Sequence, residues 1–383
     1  VLKGVKVLEL GNFISAPLVG QILADLGSEV IKIEPITGEG RRKFKPEING
    51  VSVYFASTNR GKKSIAINLK SDEGYDIFKR LAVDANVLIT NYRPSALKKL
   101  KIDYENVLKI NQKIIYCSIT GFGNFSPEAE RPAYDAVILA LSGLMDMTGE
   151  ENGPPVKFAT SISDITTALL STIAILAALH HGGPEFIDVP MLQSQFYLTL
   201  EDAYMYLNTG YIPKRMGSSH RYSVPYQVFK TLDGYIFIGI FDDEQYSSLC
   251  KALNREDLAK FDTLSKRAEN REYIIGELQK IFMLKSTEEW VNFLIRYDFP
   301  MAPVLNLSEA FKEYGKELIY EIDGIKYVKF PINFEKYSKD NYKLKAPRLG
   351  EHTKEILVRL GFDEKEIKEL ADKNIIFIEE NNK

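Results

Sequence analysis

"VKVLELGNFISAPLVGQILADLGSEVIKIE", residues 5–34, is the stretch on which the fold turns. Its two ends, "VKVLEL" and "EVIKIE", are short runs rich in Val, Ile and Leu and read as strands. Between them "GNFISAP" has the composition of a loop, and "LVGQILADLG" has helical apolar spacing closed by a glycine. A strand, a helix and a strand in immediate succession make a βαβ unit, whose strands run parallel. The chain therefore opens as an α/β, Rossmann-like domain on a parallel sheet.

Working outward, "KSIAINL" (63–69), "ANVLIT" (85–90) and "KIIYCSI" (113–119) read as further strands, with "DEGYDIFKRLAV" (72–83) as a helix between the first two. Residues 184–210 continue as a strand, "FIDVPML", and a helix, "SQFYLTLEDAYMYL". Near 213 the character changes to a turn-rich segment that ends in a hairpin, "YQVFKTLDGYIFIGI", hinged on Asp233-Gly234. Short amphipathic helices follow, in which Trp290 reads as a packing residue. The expected division is a large domain over 1–221, a smaller domain over 222–310, and a linker with helical return to the large domain over 311–383. No internal repeat is evident.

A chain of 383 residues with 45% apolar content can bury a large core. No run of eighteen apolar residues is free of charge and the first residues do not form a signal peptide, so a soluble, cytoplasmic protein is expected. Two cysteines, Cys117 and Cys250, cannot build a disulfide framework or a metal cluster, and four histidines are too scattered for a zinc site. Cys117 reads as a thiol buried in a strand.

The net charge of −3 hides an asymmetry: residues 1–101 carry 17 Lys+Arg against 10 Asp+Glu. The cations cluster as Arg41, Arg42, Lys43 and Lys45, then Arg60, Lys62 and Lys63, then Arg93, Lys98, Lys99 and Lys101. Three runs, each beside a strand-like segment, suit a polyanionic small molecule better than nucleic acid, for which no aromatic-interleaved motif is present. The first turn lacks G-x-G-x-x-G, which argues against a dinucleotide despite Glu34 at the end of the second strand. P-loop and G-x-S-x-G patterns are also absent.

"SISDITTALLSTIAILAALHH", residues 161–181, is a helix that Ser161 or Ser163 can cap and that Gly182-Gly183-Pro184 stops. Its apolar residues run almost all the way round, which predicts burial. Asp164 sits in the first turn. By itself that acid reads as a helix opener that meets free N–H groups and the dipole.

In order and spacing, seven segments resemble the family III coenzyme A transferases, the CaiB/BaiF-type superfamily that includes formyl-CoA transferase and α-methylacyl-CoA racemase. They are "LKGVKVLELGNFISAPLVGQILADLGSEVIKIEP", "NRGKKSIAINLKSDEG", "DANVLITNYRPSALKKL", "SITGFG", "AYDAVILALSGLMDMTG", "HRYSVPYQVFKTLDGYIFIGI" and "APRLGEHTKEIL". The resemblance covers essentially the whole chain. It implies a Rossmann-like large domain formed by both chain ends, a smaller α+β domain, and an interlocked homodimer. It also implies coenzyme A and acyl-CoA as substrates together with a small carboxylic acid. No tightly bound cofactor, metal, nucleic acid or membrane enters that picture.

By motif position the resemblance makes Arg42 and Lys99 partners of the CoA phosphates, with Lys98 interchangeable with Lys99 at this level. Asn91, Tyr92 and Arg93, with Lys70, would flank the adenine and ribose. Ser15 and Asp135 complete the expected CoA-binding set. The catalytic aspartate falls at Asp164. In the transferases it attacks the acyl-CoA carbonyl, giving a mixed anhydride, then an aspartyl-CoA thioester, then transfer to the acceptor acid. A helix N-terminus favours the required anion, and rigid placement against a thioester makes a carboxylate a usable nucleophile.

The racemase branch pairs this aspartate with a histidine to move an α-proton of a 2-methylacyl-CoA. Here that position is Tyr134, in "RPAYDAV", and a phenol is a poor general base at neutral pH. Tyr134 at the site therefore favours CoA transfer, with racemisation as the alternative. Asp242, in "GIFDDEQY", stands where the racemase branch tends to carry Glu. The same segment lacks the glycine run of formyl-CoA transferases, and Ile14 replaces their Gln. Succinyl-, carnitine- or other acid-specific transfer stays open.

Overall fold

The computed structural model describes residues 1–336 and 344–379. Its chain divides into two compact units: Val1–Leu144, Phe158–Thr209 and Leu318–Lys383 form the large one, and Met145–Lys157 with Gly210–Glu317 the small one. The sequence placed the borders at 222 and 310. The small unit in fact begins at Gly210, ends at Glu317 and takes in the segment Met145–Lys157.

In the large unit the strands are β1 (Lys6–Leu10), β2 (Glu29–Glu34), the short hairpin β3 (Glu47–Ile48) and β4 (Val51–Ser52), β5 (Lys62–Ile67), β6 (Val87–Thr90), β7 (Ile115–Thr120) and β8 (Glu185–Pro190). The small unit carries β9 (Tyr226–Lys230), β10 (Tyr235–Gly239) and β11 (Met301–Pro303). The large unit resumes with the hairpin β12 (Ile319–Ile322) and β13 (Ile325–Val328), then β14 (Ile376–Phe377).

The main sheet runs β14-β5-β2-β1-β6-β7-β8, parallel except for β14, which pairs antiparallel with β5. From β1 the chain adds β2 and β5 on one side, then β6, β7 and β8 on the other. That is the doubly wound order, with its switch point between β1 and β6. Ligands in such sheets bind beyond the carboxyl ends of the strands flanking the switch point.

Side chains alternate across β1. Leu8 and Leu10 face one core with the helices Asp72–Val83, Thr353–Arg359 and Glu364–Asp372, and Val7 faces the other with Ser15–Asp25 and Ile162–His181. Strands β6 and β7 are buried along their whole length, as a sheet covered on both faces requires. The first helix starts at Ser15, earlier than its apolar spacing indicated.

Glu9 falls on the Val7 face and is fully buried. It is paired with Lys32 of β2 at 2.7 Å and Lys62 of β5 at 2.6 Å. The two ammonium groups also donate to backbone carbonyls, Lys32 to Gly11 and Lys62 to Pro17 and Thr58. A Cβ at Gly20 would collide with Glu9 Oε2, so glycine there makes room for the carboxylate. Desolvation pulls Lys62 down to about 8, while the neighbouring carboxylates hold Lys32 above its ordinary value.

The helix Ile162–His181 departs from expectation. It is long and apolar enough to cross a membrane by length and composition, yet only one face is buried. That face is small: Ser163, Thr167, Ala168, Ser171 and Thr172 with Ile175. Leu169 and Ile173 point outward, 50% and 63% exposed. Ile175, with Leu176 and Leu179, packs into the core beside these small residues, while Leu169 and Ile173 are left on the other side. Gly182 ends the helix in the left-handed conformation, as its position indicated. The following helical run breaks in two, Met191–Leu198 and Leu200–Thr209, with Leu200 at φ 37° between them.

The small unit is built on the antiparallel sheet β11-β10-β9, whose β9–β10 hairpin turns at Thr231–Gly234 as read from sequence. Trp290 packs there against Phe282 and donates its indole N–H to the Phe282 carbonyl. Both cysteines are free and buried, and burial pushes Cys117 up to about 12.

Candidate active site

A cavity of about 490 Å³ opens at the switch point of the large unit. Its wall comes from the loop after β1 (Asn12, Phe13, Ser15), the loop after β6 (Asn91, Tyr92, Arg93), the segment Arg131–Tyr134, and Asp164. This is where the strand order alone would place a ligand.

Asp164 lies in the first turn of its helix, but neither Ser161 nor Ser163 caps it through a side chain; Ser161 is the N-cap without such a bond. The Ser163 N–H instead donates to Asp135 Oδ1 at 2.8 Å. Asp135, expected among the CoA-binding residues, is thus engaged as the cap of the Asp164 helix. Burial, reinforced by the charge of Asp135, pushes Asp164 up to about 7, against a hydrogen bond from Ser15 and the charge of Arg41.

Ser15 is 3% exposed and receives a hydrogen bond from Asn91 Nδ2 at 3.1 Å. The same amide donates to the Asn12 carbonyl at 2.8 Å, and Asn91 Oδ1 accepts the Asn12 N–H at 2.9 Å. Asn91 therefore ties the ends of β1 and β6 together and orients Ser15 toward Asp164. Its amide is engaged within the protein, while the neighbouring Tyr92 and Arg93 also line the cavity. Burial raises Tyr92 to about 12, so it stays a neutral phenol. Tyr134 is largely exposed at the cavity and meets the Phe13 ring edge-on at 5.9 Å.

The other expected residues are placed differently. The Arg42 guanidinium forms a two-pronged pair with Glu34, at 2.7 and 2.6 Å, and lies 3.6 Å from the centre of the Phe55 ring. It is not among the cavity-lining residues. Glu34 is thereby held below the ordinary carboxylate range against its burial, by Arg42 chiefly. Lys70, Lys98 and Lys99 are exposed, and Lys98 lines a second cavity of about 260 Å³ with Tyr104, Phe125 and Phe186.

The second basic run is neutralised internally, and in the first Arg42 and Lys45 are paired while Lys43 is exposed. Arg60 pairs with Asp25, Lys62 with Glu9, and Lys63 with Glu29 and Glu355. The third run keeps its cations exposed, and of these Arg93 lines the switch-point cavity.

Glu39 and Arg41 were not singled out in the sequence. The Phe13 N–H donates to Glu39 Oε2 at 2.9 Å, and Arg41 Nη1 donates to the Phe13 carbonyl at 3.0 Å. Phe13 itself is left-handed at φ 64°. Its turn is therefore gripped on both sides by a segment distant in sequence, and no local pattern announces such a grip. Among the described residues no group of His, Cys, Asp and Glu is arranged to hold a metal, and none of the four histidines lines the cavity.

Residues 2–353 match the family model described as CoA-transferase family III. The human protein named succinyl-CoA:glutarate CoA-transferase is 37% identical, over 98% of this chain and 90% of its own. Succinyl-CoA:mesaconate CoA-transferase of Haloarcula marismortui is 32% identical, over 94% and 97%. A crystal structure of a CAIB/BAIF family protein from Brucella suis superposes with a TM-score of 0.86 at 34% identity, covering 94% of this chain and 99% of that one.

Proposed function

The chain belongs to CoA-transferase family III and is an acyl-CoA:carboxylate CoA-transferase; from that premise we propose that it passes CoA between dicarboxylic acids through covalent intermediates on Asp164. The observation that carries the proposal is Asp164 itself: a desolvated carboxylate at the wall of the switch-point cavity, held by Ser15. Succinate, glutarate and mesaconate, in the names of the relatives, are all dicarboxylic.

In the first step an Asp164 carboxylate oxygen forms a bond to the thioester carbonyl carbon, and the C–S bond breaks to release CoA thiolate. The thiolate then adds to the Asp164 side-chain carbonyl of this mixed anhydride, and the donor acid leaves as its carboxylate. The acceptor carboxylate attacks the resulting aspartyl-CoA thioester, again expelling thiolate. Thiolate finally attacks the acceptor's acyl carbon, forming the new acyl-CoA and freeing Asp164. No proton is gained or lost, so no general base is required beside the nucleophile. The racemase alternative needs one, and no histidine lines the cavity.

The exposed apolar face of the Asp164 helix, Leu169 and Ile173, supports a homodimer as the working form, as do Phe196, Tyr197, Tyr204 and Leu207 nearby in the chain. Two free thiols support a reducing, cytoplasmic setting. The test is incubation with succinyl-CoA and hydroxylamine followed by peptide mass spectrometry. A hydroxamate at Asp164, absent from Asp164→Ala, is expected. Acyl transfer without any label at Asp164 would refute the covalent route.

A further inference from the structure

The buried cations of the large unit follow a rule to which one is an exception. Lys32 and Lys62 face Glu9, Arg42 faces Glu34, and Arg60 faces Asp25. Arg41 is 6% exposed, yet among the described residues no carboxylate lies within ion-pair distance of it. Its guanidinium is held by neutral acceptors: Nη1 donates to the Phe13 carbonyl and to Thr58 Oγ1 at 3.1 Å, and Nη2 to Ser57 Oγ at 3.3 Å. A charge removed from water without a counter-ion is costly unless an anion arrives. Burial accordingly lowers the pKa of Arg41.

Two acids influence Arg41 electrostatically. Glu39 gives its carboxylate to the Phe13 N–H, and burial pushes its pKa above the ordinary value. The other is Asp164, the nucleophile. When Asp164 becomes an anhydride or thioester it loses its charge, and of the two acids only Glu39 is left to balance Arg41. A monocarboxylic substrate brings nothing to replace the lost charge, whereas a dicarboxylic substrate brings a second carboxylate. Arg41 does not itself line the cavity: it stands behind the Phe13 turn of the cavity wall, whose carbonyl it binds, while Nη2 ends on exposed Ser57 and the exposed Tyr54 ring lies 5.8 Å from the guanidinium carbon.

We propose that Arg41, held by Phe13, Thr58 and Ser57 behind the Phe13 turn of the cavity wall, is the residue that recognises the second carboxylate of the dicarboxylic acid. This rests on the CoA-transferase reading and goes beyond it by assigning the group that selects the acid. Because the fork is fixed before substrate arrives, little side-chain entropy is lost on binding.

The test compares CoA transfer from succinyl-CoA to glutarate and to monomethyl glutarate, which keeps the reacting carboxylate and masks the other. In Arg41→Gln the ratio of kcat/KM for glutarate to that for the ester is expected to fall by about 10–100-fold, the worth of a charge-assisted hydrogen bond. Arg41→Lys, which retains the charge but not the fork, is expected to fall in between and keeps the test available if the glutamine variant does not fold. An unchanged ratio in the folded variants, with both rates reduced together, would overturn the assignment and leave Arg41 as a support for the Phe13 turn. A lower ratio for the wild type than for the variants would overturn it as well. Failure of the wild-type enzyme to transfer CoA to any acid would count instead against the function on which the inference rests.

Discussion

The backbone N–H of Ser163 donates to Asp135 Oδ1 at 2.8 Å, so the helix that presents Asp164 is capped by a second carboxylate. One arrangement thus serves two ends: it satisfies a free helix N–H, and it sets a negative charge beside Asp164. The same placement that stabilises the helix makes Asp164 harder to ionise.

Asp135→Asn keeps an oxygen to accept the Ser163 N–H and removes the charge. The acid limb of the rate of Asp164 acylation should therefore move to lower pH, measured by rapid-quench mass spectrometry. Asp135→Ala should also lose the cap, at a cost of about 1 kcal/mol in a denaturant titration.

On the proposed covalent route Asp164 attacks as its anion, and burial pushes its pKa up to about 7. Transfer should be half-maximal near that pH and fall by up to about tenfold per unit below it.

Stability runs the other way. Between the ordinary aspartate value and about 7, the folded chain keeps a proton on Asp164 that the unfolded chain has released. Stability therefore falls as pH rises through that window, and the loss is complete above it. Asp164→Asn should melt roughly 2–5 °C above wild type at pH 8 and together with it near pH 4, read by calorimetry.

Arg42 and Arg93 should separate under mutation. Arg42→Ala strands the buried Glu34 carboxylate and should destabilise the fold by about 3–5 kcal/mol. Arg93→Ala, exposed at the cavity, should leave the melting temperature unchanged and weaken CoA binding by about tenfold at low salt, less as salt rises. Isothermal titration with CoA, paired with thermal melts, distinguishes the two.

Ile173→Glu places a charge on the exposed apolar face of the Asp164 helix. If that face meets a second copy, light scattering after size exclusion should find a homodimer in the wild type and a monomer in the variant. An unchanged mass would show that the face is not an interface.

Much of the framework around the cavity was legible in the sequence because it depends on short segments with strong local signals. The βαβ opening, the β9–β10 hairpin and the glycine-stopped helix carrying Asp164 each follow from the order of apolar, turn and capping residues. The motif around Tyr134 likewise placed it at the cavity beside Phe13. Burial of the Asp164 helix was misread for a physical reason. Apolar content tells that a helix avoids water, and it does not tell which of its faces is covered by the same chain.

The sequence by itself determined the α/β class, the order of the strands along the chain and the acid that opens the 162–181 helix. Only the tertiary structure decided which cations remain for a ligand. Lys62 meets Glu9, Arg60 meets Asp25, and Lys63 reaches Glu355 near the far end of the chain. Runs that look alike as strings of Lys and Arg thus differ completely in the charge they offer. Charge pairing depends on distance in space, and the sheet order that brings β1, β2 and β5 side by side sets those distances. Arg41 was left without a carboxylate in ion-pair distance by the same geometry, against the Phe13 turn of the cavity wall.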